Sequence, residues 1–186
     1  MKTNKYLAIA LMIIATAVYR VAPFHAFGFA PQLAVAVFSG AMFAGNRKMA
    51  FLLPILSMLI SDTLFQVLYT LHYTSISGFY GYDQIVNYLM IASLAIVGFT
   101  AQNFKLKNIL TANISAPILF FLASNFFVWL TFGGYHHPQN FAGLMACYAD
   151  GLPFFWNSLS STVVFGGIFF GTTYYFAARQ PKAIAM

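Results

Sequence analysis

The sequence predicts an all-α polytopic membrane protein: a single domain over 1–186 whose six transmembrane helices form a bundle with both termini in the cytoplasm. Three observations predict it. Hydrophobic residues make up 61% of the chain and charged residues only 6%, too few charges to cover a soluble domain. Polar breaks divide the chain into six apolar runs that lack the period-two alternation of an outer-membrane barrel. Eight of the nine bases fall in breaks that share one side: Lys2 and Lys5, Arg47 and Lys48, Lys105 and Lys107, Arg179 and Lys182. Cytoplasmic loops retain Lys and Arg, so this sorting orients the bundle in a bacterial inner membrane.

A helical span needs about 20 mostly apolar residues. The runs lie at about 6–20, 31–45, 49–71, 84–101, 111–132 and 152–177. The first has a basic start and the small residues Ala15-Thr16-Ala17, which imitate a secretory signal. Arg20 directly after the run is poor context for cleavage, so the run is read as a retained helix; cleavage would leave five spans. The second run is short, and its Gly40 with Ala44, and Ala41 with Gly45, give spacing that lets helices approach closely. Pro54 and Pro117 are expected to kink the third and fifth runs by removing a backbone donor.

The breaks on the basic side are short, 46–48 and 102–110. Those opposite are long and aromatic: VAPFHAFGFA at 21–30, HYTSISGFYGYD at 72–83 and GGYHHPQNFAGLMACYADG at 133–151. Loops of this kind are usually lids or binding loops. The structural alternative is an interfacial aromatic belt, but a belt appears at both interfaces, and the basic side holds little aromatic beyond Phe104.

Polar groups at membrane depth sharpen this picture. At about 1.5 Å per residue, Arg20 counted from Lys5 and Asp62 counted from Lys48 both lie roughly 21–23 Å from the basic side. Asn125, counted from Thr111, reaches the same height. An ionisable residue in a span faces a partner or a cavity. Arg20 and Asp62 are therefore expected to pair, either as a brace between helices or as the floor of a ligand pocket. Ser57 and Ser61 share a helical face with Asp62 and read as packing residues.

Most routes to chemistry fail. The formal charge of +6 comes from bases spread two at a time as topology requires, so no nucleic-acid partner is expected. The adjacent His136 and His137 lack metal-ligand spacing. Cys147, the single cysteine, excludes an internal disulfide. Its ordinary reading is a buried inert thiol; its functional one is a ligand to a soft metal, such as cobalt in a corrinoid. No G-x-S-x-G, S-x-x-K or carboxylate pair is present, and three acids leave little for an enzyme to use. No cofactor and no enzymatic activity are expected.

Six short helices with long lid-like loops on one side resemble the substrate-binding S-components of energy-coupling factor vitamin transporters. The block PQLAVAVFSGAMFAGNRKMAFLLPILSMLISD at 31–62, and GLMACYADGLPFFWNSL at 143–159, resemble uncharacterised bacterial membrane proteins near that group. The resemblance implies capture of a scarce small molecule between loops and helix tips, tipping of the bundle to release it inside, and a transmembrane coupling subunit driven by ATPases. The first helix of that family docks through Ala-x-x-x-Ala. Here Ala10 is followed by Ile14, a departure that suits the solitary cobalamin transporters resembling S-components.

The sequence therefore predicts uptake of a small, ring-containing nutrient from the extracytoplasmic face. Arg20, Asp62 and Asn125 would form the floor, Phe79, Tyr80 and Tyr82 one lid, and His136, His137 and Tyr148 another, with Trp129 and Asn157 at the helix tips. Aromatic walls with a few orienting polar groups are how ligand sites are usually built, and uptake predicts an enclosed chamber of several hundred Å³. The rival readings are a small structural or regulatory subunit of a larger membrane complex, and an intramembrane enzyme acting on lipid.

Overall fold

The computed structural model describes residues 2–22, 28–29, 31–131 and 137–178, and among them the regular structure is entirely helical. His25, His136, Arg179 and Lys182 lie outside the described residues. The helices are α1 (Lys2–Val21), α2 (Gln32–Met42), α3 (Arg47–Thr70), α4 (Tyr82–Ser93), α5 (Ala95–Phe99), α6 (Leu106–Leu130) and α7 (Phe141–Ala178). Among the described residues, four stretches are long and apolar enough to cross a membrane: Arg47–Thr70, Tyr82–Phe99, Leu106–Leu130 and Phe141–Phe176. Met12–Val21 and Gln32–Met42 are shorter apolar helices.

Local chemistry sets the boundaries. Asn46 caps α3 by accepting from the Met49 amide at 3.4 Å, and the turn before it reverses the chain so that α2 and α3 pack as neighbours. Gly81, at φ 80°, takes the left-handed backbone that starts α4. The fourth apolar run is interrupted at Leu94, which divides it into α4 and α5.

Two expectations need correction. The fifth run begins at Leu106, earlier than its expected start near 111. The sixth begins at Phe141 and absorbs GLMACYADG, so the third long connection shrinks from 133–151 to 131–140. Asn140 explains that start, because its side chain accepts from the Gly143 amide at 2.9 Å. Gly151 and Pro153 read as loop residues yet sit within α7. A proline removes only one helical donor, and Gly151 lacks a Cβ where Asn125 of α6 presses against it.

Helix α2 is the axis of the bundle, and every residue from Gln32 to Ala41 is buried. Phe38 stacks on Phe169 and Phe170 of α7 at ring separations of 5.7 and 5.2 Å. Ser39 donates to the Ala50 carbonyl of α3 at 2.8 Å. A Cβ on Gly40 would stand 2.1 Å from the Ala95 carbonyl oxygen, and one on Gly98 2.1 Å from that of Val37, so α2 and α5 touch backbone to backbone. The small-residue spacing read in the sequence operates through Gly40; Gly45 faces open space.

Candidate functional site

The charged centre lies where α1, α3 and α4 converge. Arg20, in the last turn of α1, donates through Nη1 to Asp62 Oδ1 and, at 2.6 Å, to Ser61 Oγ. Ser61 donates its own proton to the Met58 carbonyl at 2.8 Å, which leaves its lone pairs turned to the guanidinium. The Phe65 ring lies 5.4 Å from Arg20 Cζ, close enough for a cation–π contact. One turn back on both helices, Thr16 and Ser57 hydroxyls meet at 3.4 Å, so the α1–α3 interface is polar over two turns.

From α4, Gln84 Nε2 donates to Asp62 Oδ2 at 2.8 Å, and the Tyr88 hydroxyl donates to the same oxygen at 2.6 Å. Gln84 and Tyr88 stand four residues apart and so share one face. The Asp62 side chain is 2% exposed and that of Arg20 is 20% exposed. A buried carboxylate is tolerable only when its charge and lone pairs are met, and here both are.

A covering segment is latched to this centre. Gln84 also donates to the Gly78 carbonyl at 3.0 Å. The Gly78 amide and the Ser77 hydroxyl both donate to Gln66 Oε1 at 3.2 Å. Gly78 lies directly on α3, where a Cβ would sit 1.9 Å from the Asp62 carbonyl oxygen. Of the expected lid, Phe79, Tyr80 and Tyr82 are all exposed, and the Tyr80 hydroxyl accepts from Asn87 Nδ2 at 3.2 Å. Burial pushes the Tyr80 phenol up against the opposing pull of that Asn87 bond, so it remains protonated at neutral pH.

The remaining sequence candidates gather along α6 and α7. Asn125 does not join Arg20 and Asp62: its Nδ2 donates to the Phe121 carbonyl of its own helix at 2.8 Å, and its amide packs against Gly151 of α7. Equal height along a helix does not fix the face a side chain takes. Tyr148 stands on α7 instead of a lid, donating to the Leu122 carbonyl at 3.1 Å. Cys147 is buried, with its thiol 3.4 Å from the Asn125 carbonyl. His137 pairs with Asp150 at 2.7 Å, and Trp129 Nε1 donates to the Pro138 carbonyl at 3.1 Å. Asn157 packs beside Gly28. Among the described residues no three His, Cys, Asp or Glu gather as a metal site.

Two depressions are open and away from the ion pair, unlike the enclosed chamber that uptake predicts. One, of about 580 Å³, is lined by Tyr69, Thr70, His72, Thr74 and Ser75. The other, of about 520 Å³, runs along one side of α6 from Leu106 to Ser115.

Four polar residues escaped the sequence reading: Gln66, Gln84 and Tyr88 around Asp62, and Gln32 at the start of α2. The Gln84–Tyr88 spacing was a usable signal. The Gln32 side chain is buried, and both its Nε2 and its Oε1 lack a hydrogen-bond partner. An unsatisfied buried polar group costs about 1–3 kcal/mol. The Asn113 Oδ1 is also without a partner, but it lies against the Gly166 backbone of α7.

The chain belongs to the family of unknown function DUF6580, whose pattern it matches over residues 1–184. No curated protein and no solved structure matches it.

Proposed function

We propose that this DUF6580 member is a six-helix protein of the bacterial inner membrane that binds a small, ring-containing nutrient at its extracytoplasmic face and delivers it inward. The sorted bases support this orientation, which sets the 72–81 segment and the Arg20–Asp62 centre towards the outside. The resemblance to S-components supports the uptake role and implies a coupling subunit with ATPases, while the Ala10–Ile14 departure favours solitary action.

The observation that carries the reading is the shared anchorage of Asp62. One carboxylate holds α1 through Arg20, α4 through Gln84 and Tyr88, and the covering segment through the Gln84 bridge to Gly78. A ligand group that competes for Arg20 or Asp62 would weaken the anchorage of all three elements. Recognition would thereby be coupled to opening, because a ligand shifts a conformational equilibrium by its differential affinity for the two states.

The structural-subunit reading also draws on a specific observation, namely that both Asp62 oxygens are already taken by protein donors. Native mass spectrometry of protein purified in mild detergent separates the two. Uptake predicts one retained small molecule per chain, lost in Asp62→Asn and Arg20→Ala. Unchanged retention in both folded variants would confine the pair to bracing.

A further inference from the structure

We propose that the start of α2 is a binding site for a small neutral molecule that presents an amide edge, an N–H beside a C=O, which Gln32 reads with both polar atoms of its side chain. The inference deepens the uptake reading by naming a ligand class, and it rests on that reading for the route by which the ligand arrives.

Gln32 is the first residue of α2, and only 4% of it is exposed. Neither of its amide atoms has a protein partner. The Cα–Cβ bond tilts towards the N-terminus of a helix, so at this first position the side chain leaves the backbone in the direction of the helix start. The backbone there is open in the same sense: the first amides of a helix have no intrahelical acceptor, and no side chain caps α2. Donors of two kinds and one acceptor are therefore left without a protein partner at the buried start of α2.

Its depth can be read from neighbouring contacts. Ser39 meets Ala50 of α3, and Gln32 lies seven residues from Ser39 towards the Asp62 end. Asp62 lies twelve residues from Ala50, so Gln32 sits roughly 7 Å beneath the ion pair. On the α7 side, Gly28 packs beside Asn157 and Phe38 on Phe169, which brings Gln32 level with about Ser161 and Thr162. Helix α2 rises only about 16 Å, half the hydrocarbon thickness, so on the uptake reading it begins within the membrane, with open backbone at its first turn. Such backbone is tolerated only where protein buries it or where it lines a cavity, and half-helix starts in transporters point at their substrates.

The donor set selects the chemistry. A side-chain amide can pair with an adjacent donor and acceptor through two parallel hydrogen bonds, as Gln does with an adenine edge. Arg20 is committed to Asp62, so no spare cation is assigned to a carboxylate. The positive end of α2 favours the carbonyl oxygen of the ligand. Lactams, ureido rings and carboxamides fit this pattern.

The test uses the full-length protein in detergent with uracil, 2-pyrrolidone and nicotinamide as probes, against 1,3-dimethyluracil and N-methylpyrrolidone, which lack the donor. At least one of the first group is expected to raise the melting temperature by several degrees, with the methylated compounds inert. Gln32→Met should weaken the effective probe at least tenfold, and Gln32→Glu, which exchanges the amide donor for an acceptor, should do the same if the Met variant does not fold. No shift with any probe, equal shifts from the methylated compounds, or unchanged affinity in the folded variants would overturn the proposal. Retention of a copurified molecule separates the two readings. If Asp62→Asn loses it and Gln32→Met keeps it, uptake stands and the α2 site falls; if the wild type carries none and no probe binds, both fall.

Discussion

At the corner where α1, α3 and α4 meet, a carboxylate is bonded from one helix to another, whereas along the α6–α7 seam the asparagine amides donate back to the backbone of their own helix. Asp62 is bonded by residues of two other helices. Asn113 and Asn125 instead donate to Ile109 and Phe121, each four residues earlier on α6, and lay their amide oxygens against Gly166 and Gly151 of α7. The difference shows two ways of carrying polarity inside a bundle. The Asp62 charge needs a partner from elsewhere, because the bases of its own helix, Arg47 and Lys48, stand at the far end of α3. An amide can place its donor within a single turn and set its oxygen against a glycine notch on the neighbouring helix.

The comparison can be broken most sharply at Asp62. Asp62→Ala leaves the Arg20 charge uncompensated at a mostly buried position and should destabilise the protein by about 3 kcal/mol. Urea titration in micelles would measure it, and a loss below about 1 kcal/mol would mean that the corner does not depend on its ion pair. Next comes Gly78→Ala. Its Cβ would meet α3 backbone, which cannot yield, so an overpacking cost of about 1–3 kcal/mol is expected together with faster proteolysis within 72–81. Gly166→Ala meets only the Asn113 side chain, which can rotate away, and should cost less in the same assay. The smallest effect is expected at Asn125→Ala, about 0.6 kcal/mol, the average for a side-chain hydrogen bond within a membrane. A larger loss there than at Asp62 would invert the comparison.

These contrasts also explain what the sequence disclosed. Arg20 and Asp62 were legible as a pair because ionisable residues are rare in apolar runs and both could be counted from basic anchors to one height. Asn125 shared that height, but a height carries no azimuth. Gln84 and Tyr88 were passed over because neither is ionisable at neutral pH, although their four-residue spacing marks one face. The start of α7 was hidden because Gly143, Gly151 and Pro153 mimic a loop; in this bundle the two glycines are contact surfaces, for Pro138 and Asn125. The break at Leu94 left no proline or glycine at that position to betray it.

On the proposed reading as a membrane protein, the wholly enclosed α2 bears on how the chain is inserted. No residue between Gln32 and Ala41 meets the surroundings, and α7, which supplies Phe169 and Phe170 against Phe38, is synthesised last. The nascent segment is too short to partition on its own, so it must travel as a hairpin with α3 and wait, half sheltered, for translation to finish. Chains stalled before α7 should therefore present an unfinished core to membrane quality-control proteases.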